Sequence, residues 1–269
     1  MAKKKKQRQA SKSGLCRLCG VDGPLINSHI VPAAAYDRVS DRDATHPAHR
    51  NPVQVTRGAS VLTSQHWRAY LLCRTCEERF GVWEAYSFPQ LAQPDGSFPW
   101  LSQVRKLDTR AADPDTGHVA ISEGVNVPTL SLFAVSIFWR LGVFDTSKSL
   151  GAEESACRKY LLRQSNFPER ATLMVRLLDS SAVRIGRVDR AITTYETALG
   201  DGYFLHRLLL LGAEFRLFLG AQASTLRVLC FARTGVAVVA PSDTIARELQ
   251  DFAQSSEAKG ALARQPPRV

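Results

Sequence analysis

The stretch CRLCGVDGPLINSHIVP, residues 16–32, sets two cysteines one turn apart and places a histidine between Ser28 and Ile30 shortly after them. A second cysteine pair lies in YLLCRTCEERFG, residues 70–81. Cys16-x-x-Cys19 and Cys73-x-x-Cys76 can each present two thiolates to one tetrahedral ion, and four sulfurs close a structural zinc site. The long segment between the pairs must loop out and return, which costs little more entropy than a shorter loop would. Cysteine is otherwise confined to Cys157 and Cys230, so two matched pairs read as a ligand set rather than as scattered core residues.

The second pair also opens a helix. Phe80 and Trp83 follow Cys76 at +4 and +7 and make a packing stripe, while Glu77, Gly81 and Glu84 share a neighbouring stripe. Glu77 stands beside the knuckle, where its oxygen is a candidate ligand for a second cation such as Mg²⁺. Glu84 lies about 10 Å further along the axis and reads as a solvated glutamate. His29 sits in the strand-like run INSHIVP, ended by Pro32. A histidine fixed there, with an ordinary pKa near neutrality, suits proton transfer from a water attacking a phosphodiester; the alternative is a packed structural histidine.

CRLCG, NSHIVP and LLCRTCEERFG together resemble the zinc-containing HNH endonucleases, over residues 15 to about 85. The resemblance implies a ββα-metal module with His29 as general base and Cys16, Cys19, Cys73 and Cys76 as ligands of a structural Zn²⁺. It also implies that Glu77 stands where the family has a His or Asn on the catalytic cation, Mg²⁺ or Mn²⁺. Ser28 departs from the acidic residue usual before the histidine. Asn51, in HRNPVQ, is the nearest match for the asparagine that orients the histidine, Asn27 being too close to it in sequence. His46, His49 and His66 crowd the intervening segment, either as further ligands or as solvent-exposed side chains. Arg17, Arg74 and Arg79 flank the knuckles as candidate phosphate contacts, although residues 13–90 hold eight Arg against seven Asp or Glu and so promise no strongly basic groove.

The chain has 269 residues, 45% of them hydrophobic, enough to bury a sizeable core. Of its net charge of +10, six units sit in MAKKKKQRQASK at residues 1–12. That run is expected to be disordered, either holding polyanions by counterion release or simply keeping the chain soluble. No apolar segment follows the lysines, which predicts no secretory signal and a reducing, cytoplasmic setting. The longest apolar run, SLFAVSIFW at residues 131–139, ends at Arg140, short of the roughly 20 residues that span a bilayer. It reads as a core helix, and no membrane partner is expected.

The expected organisation is a basic tail (1–14), a zinc-binding HNH-like module (15–90), a turn-rich connector (91–124), a second region (125–255) and a flexible C-terminal tail (256–269). The connector contains QPDGSFPW and ADPDTGH, dense in Pro and Gly. In the second region, Pro128 is placed to open a buried helix running to about Gly142, and GAEESACRKYLLRQ reads as an amphipathic helix. ATLMVRLL, AITTYETA, FRLFLG, TLRVLCFA and GVAVVAP read as strands of an antiparallel sheet, and SDTIARELQDFA as a closing helix. YFLHRLLLLGAEF fits either helix or strand. The fold class is therefore α+β. The second region has no phosphate loop, nucleophile elbow or dinucleotide fingerprint. The functional expectation is a metal-dependent endonuclease acting on nucleic acid, in the first instance DNA. The alternative is a non-catalytic zinc-stabilised protein that binds nucleic acid or another protein.

Overall fold

In the computed structural model, residues 12–39, 53–56, 59–62, 66–93, 95–107, 117–179, 192–200 and 203–240 are described. Their elements, in chain order, are β1 (Lys12–Leu15), β2 (Asp22–His29), α1 (Ala33–Val39), β3 (Val53–Thr56), β4 (Ala59–Leu62), β5 (Arg68–Cys73) and α2 (Arg74–Ser87). There follow α3 (Pro99–Ser102), β6 (Val104–Lys106), β7 (His118–Ser122), α4 (Val127–Phe144), α5 (Glu154–Leu161), β8 (Ala171–Leu178), β9 (Ile192–Gly200), β10 (Tyr203–Leu210), β11 (Ala213–Leu219), α6 (Phe231–Thr234) and β12 (Val236–Ala240). The class is α+β, as the sequence patterns predict.

A three-stranded antiparallel sheet, β1-β2-β5, leads into α2 and carries both cysteine knuckles. The larger sheet runs β6-β7-β12-β8-β11-β10-β9 and is antiparallel except where β12 lies parallel to β8. Two of its strands, β6 and β7, come from the Pro- and Gly-rich stretch 91–124. A further hairpin pairs β3 with β4.

The two parts are joined by α4. Asn126 caps it by accepting a hydrogen bond from the Thr129 N–H at 3.0 Å, and Pro128 follows as its second residue, where no intrahelical N–H partner is lost. Every residue from Leu130 to Leu141 is buried. The helix has a mean hydropathy of 1.6 over 18 residues, enough by length and composition to cross a bilayer, but 67% of that span is buried inside the protein. Phe133 meets Phe88 on one side and Phe215 of β11 on the other, both edge-on, and Trp139 meets Phe80 of α2 in the same geometry. One continuous core thus runs from Cys16 and Leu18 through Phe80 and Phe133 to Phe215 and Phe231.

YFLHRLLLLGAEF resolves into β10, a two-residue turn and β11. Leu211 and Gly212 both take positive φ, 48° and 83°, as a twisted hairpin turn demands. A Cβ on Gly212 would stand 3.1 Å from Phe98 and 3.2 Å from the Ala92 side chain, so the tight approach as well as the φ angle favours glycine.

TLRVLCFA is not a strand. Residues 221–229 form 3₁₀ turns that pass into α6, and Val228 is 74% exposed. Burial in this stretch falls on Ala223, Cys230 and Phe231, a spacing that strand alternation does not generate. Residues 1–11, residues 256–269 and the expected helix SDTIARELQDFA lie outside the described residues, while Lys12, Ser13 and Gly14, placed in the basic tail by the sequence reading, belong to β1 and pair with Leu25, Pro24 and Gly23.

Candidate functional site

The first knuckle is a tight turn between β1 and β2. The Cys16 N–H donates to the Val21 carbonyl at 2.9 Å and the Gly20 N–H to the Cys16 carbonyl at 2.8 Å. The Arg17 N–H then donates to the Leu71 carbonyl at 2.9 Å, fastening this turn to the strand that runs into the second knuckle. The β2–β5 register, with Leu25 opposite Cys73, completes the approach.

All four Sγ atoms lie within 4.8 Å of one another, and Cys19 and Cys73 are 3.8 Å apart. The edge of a tetrahedron with Zn–S bonds of about 2.3 Å is about 3.8 Å, so the spacing fits zinc. Among the described residues this is the one group of three or more His, Cys, Asp or Glu side chains placed to hold a metal. Burial would raise the Cys16 thiol, but hydrogen bonds from the backbone around Cys19, Cys73 and Leu18 outweigh it and bring the pKa down to about 7. Burial pushes the Cys76 thiol up, reinforced by its sulfur neighbours. An all-sulfur set selects a soft or borderline ion and not Mg²⁺.

Beside the tetrad, two adjacent residues of β2 meet different partners, as alternation along a strand requires. Ser28 is fully buried and donates to Glu77 Oε2 at 2.6 Å. His29, on the other face, has its Nε2 3.2 Å from His66 Nδ1. The His66 ring stacks on Tyr36 of α1, with centroids 4.2 Å apart and planes 11° from parallel. Nδ1 of His29 has no hydrogen-bond partner among the described residues. No hydrogen bond or ion pair joins His29 to Glu77. Burial, then the charges of Arg68 opposite it in the sheet, His66 and Arg140, lower the His29 pKa to about 4. The imidazole is therefore neutral near pH 7.

The backbone of His29 is held as firmly as its ring. Arg140 of α4, 1% exposed, donates from Nη1 to the His29 carbonyl at 2.9 Å and from Nη2 to Glu84 Oε1 at 2.8 Å, and its guanidinium lies over the Phe80 ring. The next residue, Ile30, donates its N–H to the Trp67 carbonyl at 2.9 Å. Arg158 of α5 donates to the Leu18 carbonyl at 3.1 Å, a second tie from the C-terminal half to the knuckles.

Glu84 is therefore not a solvated glutamate. A buried guanidinium needs a counter-charge, and Glu84, on the turn of α2 facing α4, supplies it. Arg17 and Arg74 are exposed beside the knuckles, while Arg79 is half-buried, its Nη1 enclosed and without a hydrogen-bond partner among the described residues. Asn51, His46 and His49 lie outside the described residues. Arg140 and Tyr36 are the site residues that the sequence reading missed. For Arg140 the signal was an arginine within an apolar helix, which must find an acid. For Tyr36 there was none.

Comparison with protein-family models, with characterised proteins and with solved structures found no match to this chain.

Proposed function

We propose that this chain is a metal-dependent phosphodiester hydrolase of the HNH type, with a structural zinc ion on Cys16, Cys19, Cys73 and Cys76. The observation that carries the reading is a histidine held from three directions next to a four-sulfur frame. His29 is tied through its carbonyl by Arg140, through Nε2 by His66 and through the next peptide by Trp67. Its remaining nitrogen, neutral and without a partner among the described residues, is the form of imidazole that accepts a proton from water.

The zinc would hold the frame. In the attack, His29 takes the proton of the water that adds to phosphorus. A divalent cation, Mg²⁺ or Mn²⁺, would offset charge on the phosphate and on the leaving oxygen. The resemblance assigns that cation to Glu77, although Glu77 meets β2 through Ser28 and His29 projects from the other face of the strand. The resemblance of CRLCG, NSHIVP and LLCRTCEERFG to HNH endonucleases supports the same assignment.

A second reading has its own support. Glu77 already receives the Ser28 hydroxyl, and the described residues supply no second group of three ligands. On this reading the chain is a zinc-stabilised binding protein for nucleic acid. Incubation of zinc-loaded protein with supercoiled plasmid DNA separates the two. The hydrolase nicks it with Mn²⁺ or Mg²⁺, and His29→Ala abolishes nicking while zinc content is unchanged. Retention of DNA without nicking under either cation favours the binding protein.

A further inference from the structure

The geometry points to His66 as the positioning residue of His29, the part that the resemblance would assign to an asparagine. The inference rests on the hydrolase reading for its catalytic meaning and on the histidine pair alone for its structural content. His29 Nε2 and His66 Nδ1 are 3.2 Å apart, close enough for one hydrogen bond with one shared proton. A base acting through Nδ1 must keep its lone pair there, so the proton of neutral His29 belongs on Nε2 and His66 Nδ1 accepts it. His66 in turn carries its own proton on Nε2.

Three features make this pairing more than a chance contact. The Tyr36 ring, stacked on His66 at 4.2 Å, fixes the plane of the acceptor ring. The Trp67 carbonyl, one residue on, receives the Ile30 N–H, so the chains that carry the two histidines are locked together at the next peptide. The Arg140 hydrogen bond to the His29 carbonyl stops the donor strand from sliding away. A neutral hydrogen-bond acceptor at this place does what a carboxylate or carbonyl does for other catalytic imidazoles: it selects one of two tautomers and one ring orientation.

The pairing is tested on the full zinc-loaded chain by long-range ¹H–¹⁵N spectroscopy of the imidazoles, with His29→Gln identifying the His29 signals. The expected result is a single Nε2–H tautomer of His29 in the unsubstituted chain and a mixture of tautomers in His66→Ala. His66→Asn should restore the single form, because its side-chain oxygen is the same number of bonds from Cβ as Nδ1 and also accepts a hydrogen bond. Zinc content and circular dichroism establish that each variant is folded. His29 protonated on Nδ1, or a tautomer indifferent to His66→Ala, overturns the proposal.

The second readout is single-turnover nicking of plasmid DNA with Mn²⁺. His66→Ala should lower the rate constant by roughly 10- to 100-fold with apparent DNA affinity unchanged, and His66→Asn should recover most of it. Equal loss in both variants contradicts a hydrogen-bonding role. If the unsubstituted chain does not nick at all, the hydrolase reading fails by itself, and the spectra still decide whether His66 sets the His29 tautomer.

Discussion

Arg140 Nη1 donates to the main-chain carbonyl of His29 at 2.9 Å, across 111 residues of sequence. The same guanidinium pairs with Glu84 at 2.8 Å, so the long apolar helix and the knuckle helix are clamped over the strand that carries the candidate base.

Removing one partner of a buried pair leaves the other charge uncompensated, which costs about 3–5 kcal/mol where both are enclosed. Glu84→Gln should approach that loss in urea unfolding, because it strands Arg140, 1% exposed, without a counter-charge. Arg140→Ala should cost less through charge, since the Glu84 side chain it strands is 24% exposed and can be hydrated. The double variant should lose clearly less than the sum of the two. Additive losses would mean that the pair contributes little and that Arg140 acts through its bonds to Ser136 and His29.

Ser28→Asp tests what Glu77 is for. The substitution sets a second carboxylate against Glu77 at a fully buried position, where like charges repel strongly. Without added cation the melting temperature should fall by roughly 5 °C or more. Millimolar Mn²⁺ should restore it if the pair can share an ion. A Tm that falls and is indifferent to Mn²⁺ would show that this corner does not hold a cation.

His206 lies 5% exposed in the larger sheet, edge-on to Phe138. Burial, and secondarily the charge of Lys148, lowers its pKa to about 4 from the ordinary 6.5. The folded pKa is below the unfolded one, so between these values the unfolded chain binds the extra proton. The stability tied to neutral His206 is complete above about pH 6.5 and is lost as the pH falls toward 4, by on the order of 3 kcal/mol. His206→Gln should remove that part of the acid loss, measured as the difference between the urea midpoints of the two chains from pH 7 to pH 4. Parallel curves would contradict the assignment.

The four-cysteine cluster was legible because coordination chemistry restricts which residues can serve: two C-x-x-C pairs say almost everything about the tetrad. The stripe of Phe80 and Trp83 was legible for the same kind of reason, since helical period and burial go together. The partners of His29 were not. Its contacts come from His66, Tyr36 and Arg140, whose convergence depends on how α1 and α4 pack, and no local pattern encodes that. Arg140 reads in sequence as the end of an apolar run, yet it is enclosed inside the helix, because Glu84 and a carbonyl from 111 residues upstream satisfy it. TLRVLCFA misled in the opposite direction. Only Cys230 and Phe231 of it are buried, where the 3₁₀ turns pass into α6 against α4 and β8, a tertiary demand that overrides intrinsic preference.

Purified chain, dialysed without chelator and analysed by inductively coupled plasma mass spectrometry, tests the four-sulfur frame most directly. The expected result is one zinc per chain, lost in Cys19→Ser with Cys76→Ser and accompanied by loss of cooperative unfolding. A metal-free protein that unfolds as cooperatively as before once those thiols are replaced would contradict it.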